Sequence, residues 1–213
     1  GGDPNAFEYL VRKAEAMGAS AVIIEDKVYP KRNSLDAESR QELADPKEFA
    51  AKIRRGKDAQ LTEDFMVIAR LESFIAGIGL KDALARAKIY LDAGVDGIMV
   101  HSKEKTPAEV FSFAKEYSSL FEGGVPRKPL VCVPTTYDGV TEEELKNHGF
   151  QVVIYANHML RAAIKAMQEV GRSILEHQRA KEVSSNLAPV IEIFDLVGFS
   201  DIKAKERLLS AKR

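Results

Sequence analysis

A single cysteine, no tryptophan and no long apolar run set the first limits on this chain of 213 residues. Cys132 alone excludes an internal disulfide framework and a cysteine zinc cluster. Uninterrupted apolar stretches reach about five residues against the roughly 20 that a membrane span needs, so none is expected. Neither sign of charge dominates. With 31 basic and 32 acidic residues the net charge is -1, which argues against the concentrated basic patch of a nucleic-acid binder. Gly1-Gly2-Asp3-Pro4 has neither a basic start nor an apolar run, and no secretory leader is expected. No G-x-G-x-x-G motif and no P-loop follows any apolar run. The expectation is a cytoplasmic globular protein.

What is present is alternation. Ala21-Val22-Ile23-Ile24, Phe65-Met66-Val67-Ile68-Ala69, Gly97-Ile98-Met99-Val100, Leu130-Val131-Cys132-Val133 and Val152-Val153-Ile154-Tyr155 are short β-rich runs. They are continuously apolar, as in parallel strands covered on both faces. Helices with legible starts lie between them. Asp3-Pro4, Asp45-Pro46-Lys47-Glu48 and Thr106-Pro107-Ala108-Glu109 each offer a cap followed by proline, and Thr141-Glu142-Glu143-Glu144 reads as a capping box. Gly18, Gly94 and Gly149 suit left-handed helix ends. The runs recur roughly every 20 to 45 residues, the scale of βα units. Without a glycine-rich phosphate loop, a (β/α)8 barrel is favoured over an open doubly wound sheet. A barrel needs eight strands, however, and five are visible. After the fifth the pattern turns helical: a long amphipathic segment from 157 to about 181, an apolar helix over 187–197, and a charged tail. The division expected is 1–181 for the strands and their helices, and 182–213 for a helical extension.

Ligands of parallel α/β proteins bind at the carboxyl ends of strands. Those ends read Glu25-Asp26-Lys27, Arg70-Leu71-Glu72, His101-Ser102-Lys103, Pro134-Thr135-Thr136 and Asn157-His158. Arg70 offers a planar fork for carboxylate or phosphate. His101 can donate to an anionic oxygen or move a proton. Glu25 is a hard oxygen donor for Mg2+, or else a partner of Lys27 or Arg70. The set suits a small anionic substrate chelated by a divalent ion, with rim salt bridges as the alternative. Residues 26–45 form a long segment with a basic start, Lys27, Lys31 and Arg32, that suits a lid over an anion or a solvated loop. Cys132 reads as a core residue, His148 and His177 as surface residues. His158 and Arg161 fit either the rim or helix packing.

Several motifs carry a resemblance. Glu25-Asp26-Lys27, Pro30-Lys31-x-Asn33-Ser34-Leu35, Ala69-Arg70-x-Glu72-Ser73-Phe74-Ile75-Ala76-Gly77, His101-Ser102-Lys103 and Tyr155-Ala156-Asn157-His158 resemble the phosphoenolpyruvate mutases of the isocitrate lyase and phosphoenolpyruvate mutase superfamily. The likeness runs over essentially the whole chain and in order. It implies a TIM-type barrel with Mg2+ at the strand ends, a gating loop, and a homotetramer or dimer of dimers that exchanges C-terminal helices. It also implies interconversion of phosphoenolpyruvate and phosphonopyruvate. By this resemblance Glu25 helps hold Mg2+ through water. Asn33, Arg70 and His101 are catalytic, and Lys31, Ser34, Leu35, Arg70 and His101 bind substrate.

Family members with lyase activity resemble a Lys-Arg-Cys-Gly-His loop, whereas this chain reads Lys31-Arg32-Asn33-Ser34-Leu35 and places its cysteine in a strand. That speaks against carbon–carbon cleavage. The phosphonopyruvate hydrolases look very similar but tend to carry threonine where Asn33 stands, which favours the mutase. The family's nucleophilic and main metal-binding aspartates lie on strands before the point where Gly1 falls. The chain as read is therefore expected to lack three βα units, to need them for catalysis, and to associate through an open sheet edge.

Overall fold

The computed structural model describes residues 2–36, 38–121 and 126–210. In order it contains α1 (Pro4–Ala16), β1 (Ala21–Glu25), α2 (Pro46–Asp58), β2 (Met66–Leu71), α3 (Leu80–Asp92), β3 (Gly97–Val100), α4 (Ala108–Tyr117), β4 (Leu130–Cys132), α5 (Glu142–Asn147), β5 (Val152–Val153), α6 (His158–His177), α7 (Val190–Leu196) and α8 (Phe199–Ser210). All five apolar runs are strands. They form one parallel sheet in the order β1-β2-β3-β4-β5.

Helix starts follow the capping chemistry. Asp3 accepts from Ala6 N, Asp45 from Lys47 N and Glu48 N, and Thr141 and Glu144 close a capping box on α5. Gly18, Gly94 and Gly149 adopt positive φ at helix ends. One start differs from the reading. α4 begins at Ala108 with Pro107 as its cap and no side-chain bond, because a proline side chain offers no acceptor to the first amides; Glu109 accepts from the Ser102 hydroxyl.

The register sorts the sheet into two faces. Ile24, Ala69, Ile98 and Leu130 align across β1 to β4 and pack with Phe7 and Val11 of α1, Phe49 and Ile53 of α2, Tyr90 of α3, Phe113 of α4 and Leu145 of α5. Gly56 permits the close approach of α1 to α2: a Cβ there would lie 2.2 Å from the Phe7 ring. The other face carries a strand-only cluster of Ile68, Met99, Val131 and Val133 with Ile154 beside it. Ile23 is 39% and Val152 44% exposed. The expectation of strands covered on both faces holds for β3 and β4, whose residues are all buried, and is corrected at β1 and β5. Helices pack into the first cluster only, and the second face is apolar but partly open. Sequential strand order with helices in one layer is consistent with a TIM-type fold and differs from a doubly wound sheet.

Backbone packing divides the chain into compact units at 1–156 and 157–213. The boundary therefore differs from the 181/182 division read from the sequence, because α6 groups with the helices after it. The charged tail is also more ordered than read: it forms α8. Within the second unit Met167, Leu175, Leu196, Val197 and Leu208 are exposed. Among the described residues no helix is long and apolar enough to cross a membrane.

Candidate active site

β1, β2 and β3 end side by side, with Glu25 in register with Arg70. Glu25, Lys27, Lys31, Arg70 and Met99 line a cavity of about 790 Å³. Lys31 Nζ lies 2.8 Å from Glu25 Oε1, and Arg70 Nη2 lies 3.5 Å from Glu25 Oε2. Behind Arg70 the contacts become dense. Arg70 Nε donates to Glu72 Oε1 at 2.5 Å, and His101 Nδ1 lies 3.0 Å from the same oxygen and 2.8 Å from Arg70 Nη2. One imidazole nitrogen can accept from Arg70 or donate to Glu72, but not both at once.

Glu72 Oε2 takes the other two partners, Lys27 Nζ at 2.9 Å and the Ser34 hydroxyl at 2.5 Å. When His101 Nδ1 carries the proton and donates it, all four acceptor positions of the carboxylate are engaged. Burial alone would raise the Glu72 pKa, but the His101 hydrogen bond, the Arg70 charge and the Ser34 hydroxyl hold it well below the usual carboxylate range. Asp26, one position beyond β1, is the second buried acid. It accepts from Glu72 N at 2.9 Å and Tyr90 Oη at 2.9 Å, with Arg86 Nη1 at 3.3 Å. Here burial prevails over Arg86, the Glu72 amide and Tyr90, and its pKa is pushed up to about 6.

The 26–45 segment is a loop whose stem is pinched. Lys27 and Leu43 form an antiparallel bridge, and Val28 N donates to Glu42 O at 3.0 Å. Arg86 Nη1 holds the far stem through Ala44 O at 2.9 Å.

The structure thus brings Glu25, Lys31, Arg70, His101 and Ser34 together. Ser34 is buried in the ion-pair network, and His101 packs against Arg70 and Glu72. Asn33 and Leu35 stand apart on the exposed loop, where the Asn33 side-chain oxygen accepts from Leu35 N at 2.9 Å. Thr135 N closes a tight turn on Val133 O at 2.8 Å. Cys132 is buried, and burial pushes its thiol up to about 12, as for a core residue. His148 stacks on Phe111 at 3.6 Å.

Two features escaped the sequence: the role of Glu72 as common partner of Lys27, Ser34, Arg70 and His101, and the Asp26–Arg86–Tyr90 cluster. The i, i+4 spacing of Arg86 and Tyr90 on α3 was the available signal for the second.

Among the described residues no group of three or more His, Cys, Asp and Glu side chains forms a metal cage. With Glu72 fully engaged, Glu25 is the hard oxygen donor at the ends of β1 and β2 that lines the cavity. Mg2+ retains several waters and takes as few as one or two carboxylates, so Glu25 fits a place on its hydration shell.

Comparison with known proteins agrees with this geometry. Residues 1–175 match the family model described as phosphoenolpyruvate phosphomutase. The chain is 43% identical over 206 residues to a phosphoenolpyruvate phosphomutase of Tetrahymena pyriformis, covering 97% of this chain and 66% of that protein. It therefore spans about two thirds of that relative's length. The crystal structure of phosphoenolpyruvate phosphomutase from Streptomyces platensis subsp. rosaceus superposes with a TM-score of 0.87 at 41% identity, covering 97% of this chain and 69% of that one. A phosphonopyruvate hydrolase in complex with oxalate and Mg2+ superposes with a TM-score of 0.82 at 39% identity, covering 97% and 68%.

Proposed function

The chain belongs to the phosphoenolpyruvate phosphomutase family, and from that premise we propose that the protein interconverts phosphoenolpyruvate and phosphonopyruvate with Mg2+. The observation that carries the reading is the Arg70 fork, held by Glu72 at the strand ends and presented to a cavity shared with Glu25 and Lys31. Three cations, Lys27, Lys31 and Arg70, stand against two carboxylates, Glu25 and Glu72, leaving a surplus positive charge for a multiply anionic substrate.

Phosphoryl transfer needs positioned positive charge and donors around the moving group more than it needs proton transfer. Arg70 and His101 would supply these, with His101 oriented through Nδ1 and Lys31 closing from the loop. Bound Mg2+ would neutralise substrate oxygens, with Glu25 accepting hydrogen bonds from its hydration shell. The 26–45 loop would exclude water from the transferring group. Sequential strand order and the open apolar face of the sheet support an eight-stranded barrel in which further strands cover Ile23 and Val152 and bring the phosphoryl acceptor. The exposed apolar residues of α6 to α8 support helix exchange between the subunits of a homotetramer.

Hydrolysis of phosphonopyruvate is the second reading, favoured by the hydrolase superposition; Asn33 weighs against it. A phosphorus NMR time course on phosphonopyruvate with Mg2+ separates the two. Phosphoenolpyruvate without inorganic phosphate is expected, whereas phosphate with pyruvate would establish the hydrolase. Asn33→Thr is expected to increase the phosphate fraction, and an unchanged product ratio would remove Asn33 from the account.

A further inference from the structure

We propose that Ser34 is a docking peg that seats the 26–45 loop on the Lys27–Glu72 ion pair, so that loop docking and the alignment of Arg70 and His101 are one event. Between Val28 and Glu42, Ser34 is the one buried residue among those described, with exposed residues on either side. Its hydroxyl is saturated. It donates to Glu72 Oε2 at 2.5 Å and accepts from Lys27 Nζ at 2.7 Å and Arg70 Nη2 at 3.0 Å, which uses its single proton and both lone pairs.

Lys27 closes the same account. Its three protons go to Arg32 O at 2.9 Å, Ser34 Oγ and Glu72 Oε2, with its side chain 1% exposed. The loop's internal bonds, Asn33 to Leu35 and Ser39 to Asp36, fix its own shape without touching the sheet. Away from the stems, which Arg86 holds through Asp26 and Ala44, the loop is also tied by Lys31 to Glu25, carried by a lysine side chain that is 56% exposed, and such pairs hold weakly.

Withdrawing Ser34 would leave Glu72 Oε2 and Arg70 Nη2 each short of a partner inside a buried network. The carboxylate that orients Arg70 and His101 would then be free to shift. Loop position is thereby communicated to the site through one shared oxygen-bearing group. Ser34 acts through Arg70 and His101 as a positioning residue. This role rests on the functional reading, but the docking itself does not.

The test compares Ser34→Ala with Ser39→Ala, which alters a hydroxyl of the same loop that, among the described residues, bonds Asp36. Limited trypsin digestion reads cleavage after Lys31 and Arg32, and phosphorus NMR reads turnover. Ser34→Ala is expected to be cleaved about tenfold faster, since a loop opens locally when its tie is lost. Its kcat is expected to fall about tenfold with KM changed less, because closure assembles the site. Ser39→Ala is expected to match the unmodified protein in both assays. Cleavage of Ser34→Ala at the unmodified rate would overturn the peg. Faster cleavage with unchanged kcat would overturn the coupling. If the whole protein, with the further strands of the proposed barrel present, leaves phosphonopyruvate untouched, the functional reading fails, and the cleavage ratio still decides the docking.

Discussion

Asp26 and Glu72 are both buried acids at the ends of adjacent strands, joined by the Glu72 amide, yet their protonation is driven in opposite directions. Asp26 has one guanidinium at 3.3 Å, a phenol and an amide; Glu72 has a lysine, an arginine, an imidazole and a hydroxyl. Both side chains are out of contact with solvent, but Asp26 lies deeper and feels the Glu72 charge, whereas Glu72 has more cationic and hydrogen-bonding partners, and together these decide which effect prevails. The division of labour follows. Asp26 ties the loop's stems to α3 and lies outside the cavity lining, whereas Glu72 ties Ser34 of the loop to Arg70, which lines the cavity, and to His101.

The largest effect should come from Glu72→Met. It strands Lys27 and Arg70 beside a vanished partner, and breaking such a buried pair costs about 3 to 5 kcal/mol. Urea unfolding of the two proteins would read it. Asp26→Asn should cost less, about 1 to 3 kcal/mol, because the amide oxygen still accepts from one donor while its NH2 group faces Arg86.

The pH dependence sharpens the contrast. Between 3.8 and about 6 the folded protein keeps a proton on Asp26 that the unfolded chain has released. Its contribution to stability therefore falls as pH rises through that window and is level above it. Glu72 behaves oppositely: its contribution is complete above the ordinary glutamate value of 4.5 and is lost as pH falls below it. Relative to the unmodified protein, Asp26→Asn should remove the decline between these pH values. Glu72→Gln should cost most at neutral pH and progressively less below about pH 4. Unfolding curves taken across that range check both. Tyr90→Phe should be the mildest change, about 1 kcal/mol for a lost neutral hydrogen bond to Asp26, read as a small shift in the urea midpoint.

Much of this was legible from the residues. Continuous apolar runs located every strand, and short capping motifs located most helix starts, since both signals are local. The strand-end rule also singled out Glu25, Arg70 and His101. What stayed hidden depends on distant pairs. Ser34 meets Glu72 across 38 positions and Asp26 meets Tyr90 across 64, and no spacing announces either. Pro107 misled because it stands at the cap itself, one position earlier relative to the helix than the Thr106-Pro107 pair suggested, and brings no side-chain acceptor. α8 escaped because charged residues such as Lys203, Lys205 and Glu206 obscure its apolar positions.

The most direct measurement runs phosphonopyruvate and Mg2+ with the whole protein, the further strands of the proposed barrel included, as unmodified protein, Glu72→Gln and Asp26→Asn side by side, following products by phosphorus NMR. The account predicts phosphoenolpyruvate from the unmodified protein, a loss of about a hundredfold or more in Glu72→Gln, and turnover within severalfold of normal in Asp26→Asn. Equal losses in the two variants, or inorganic phosphate as the only product of the unmodified protein, would contradict it.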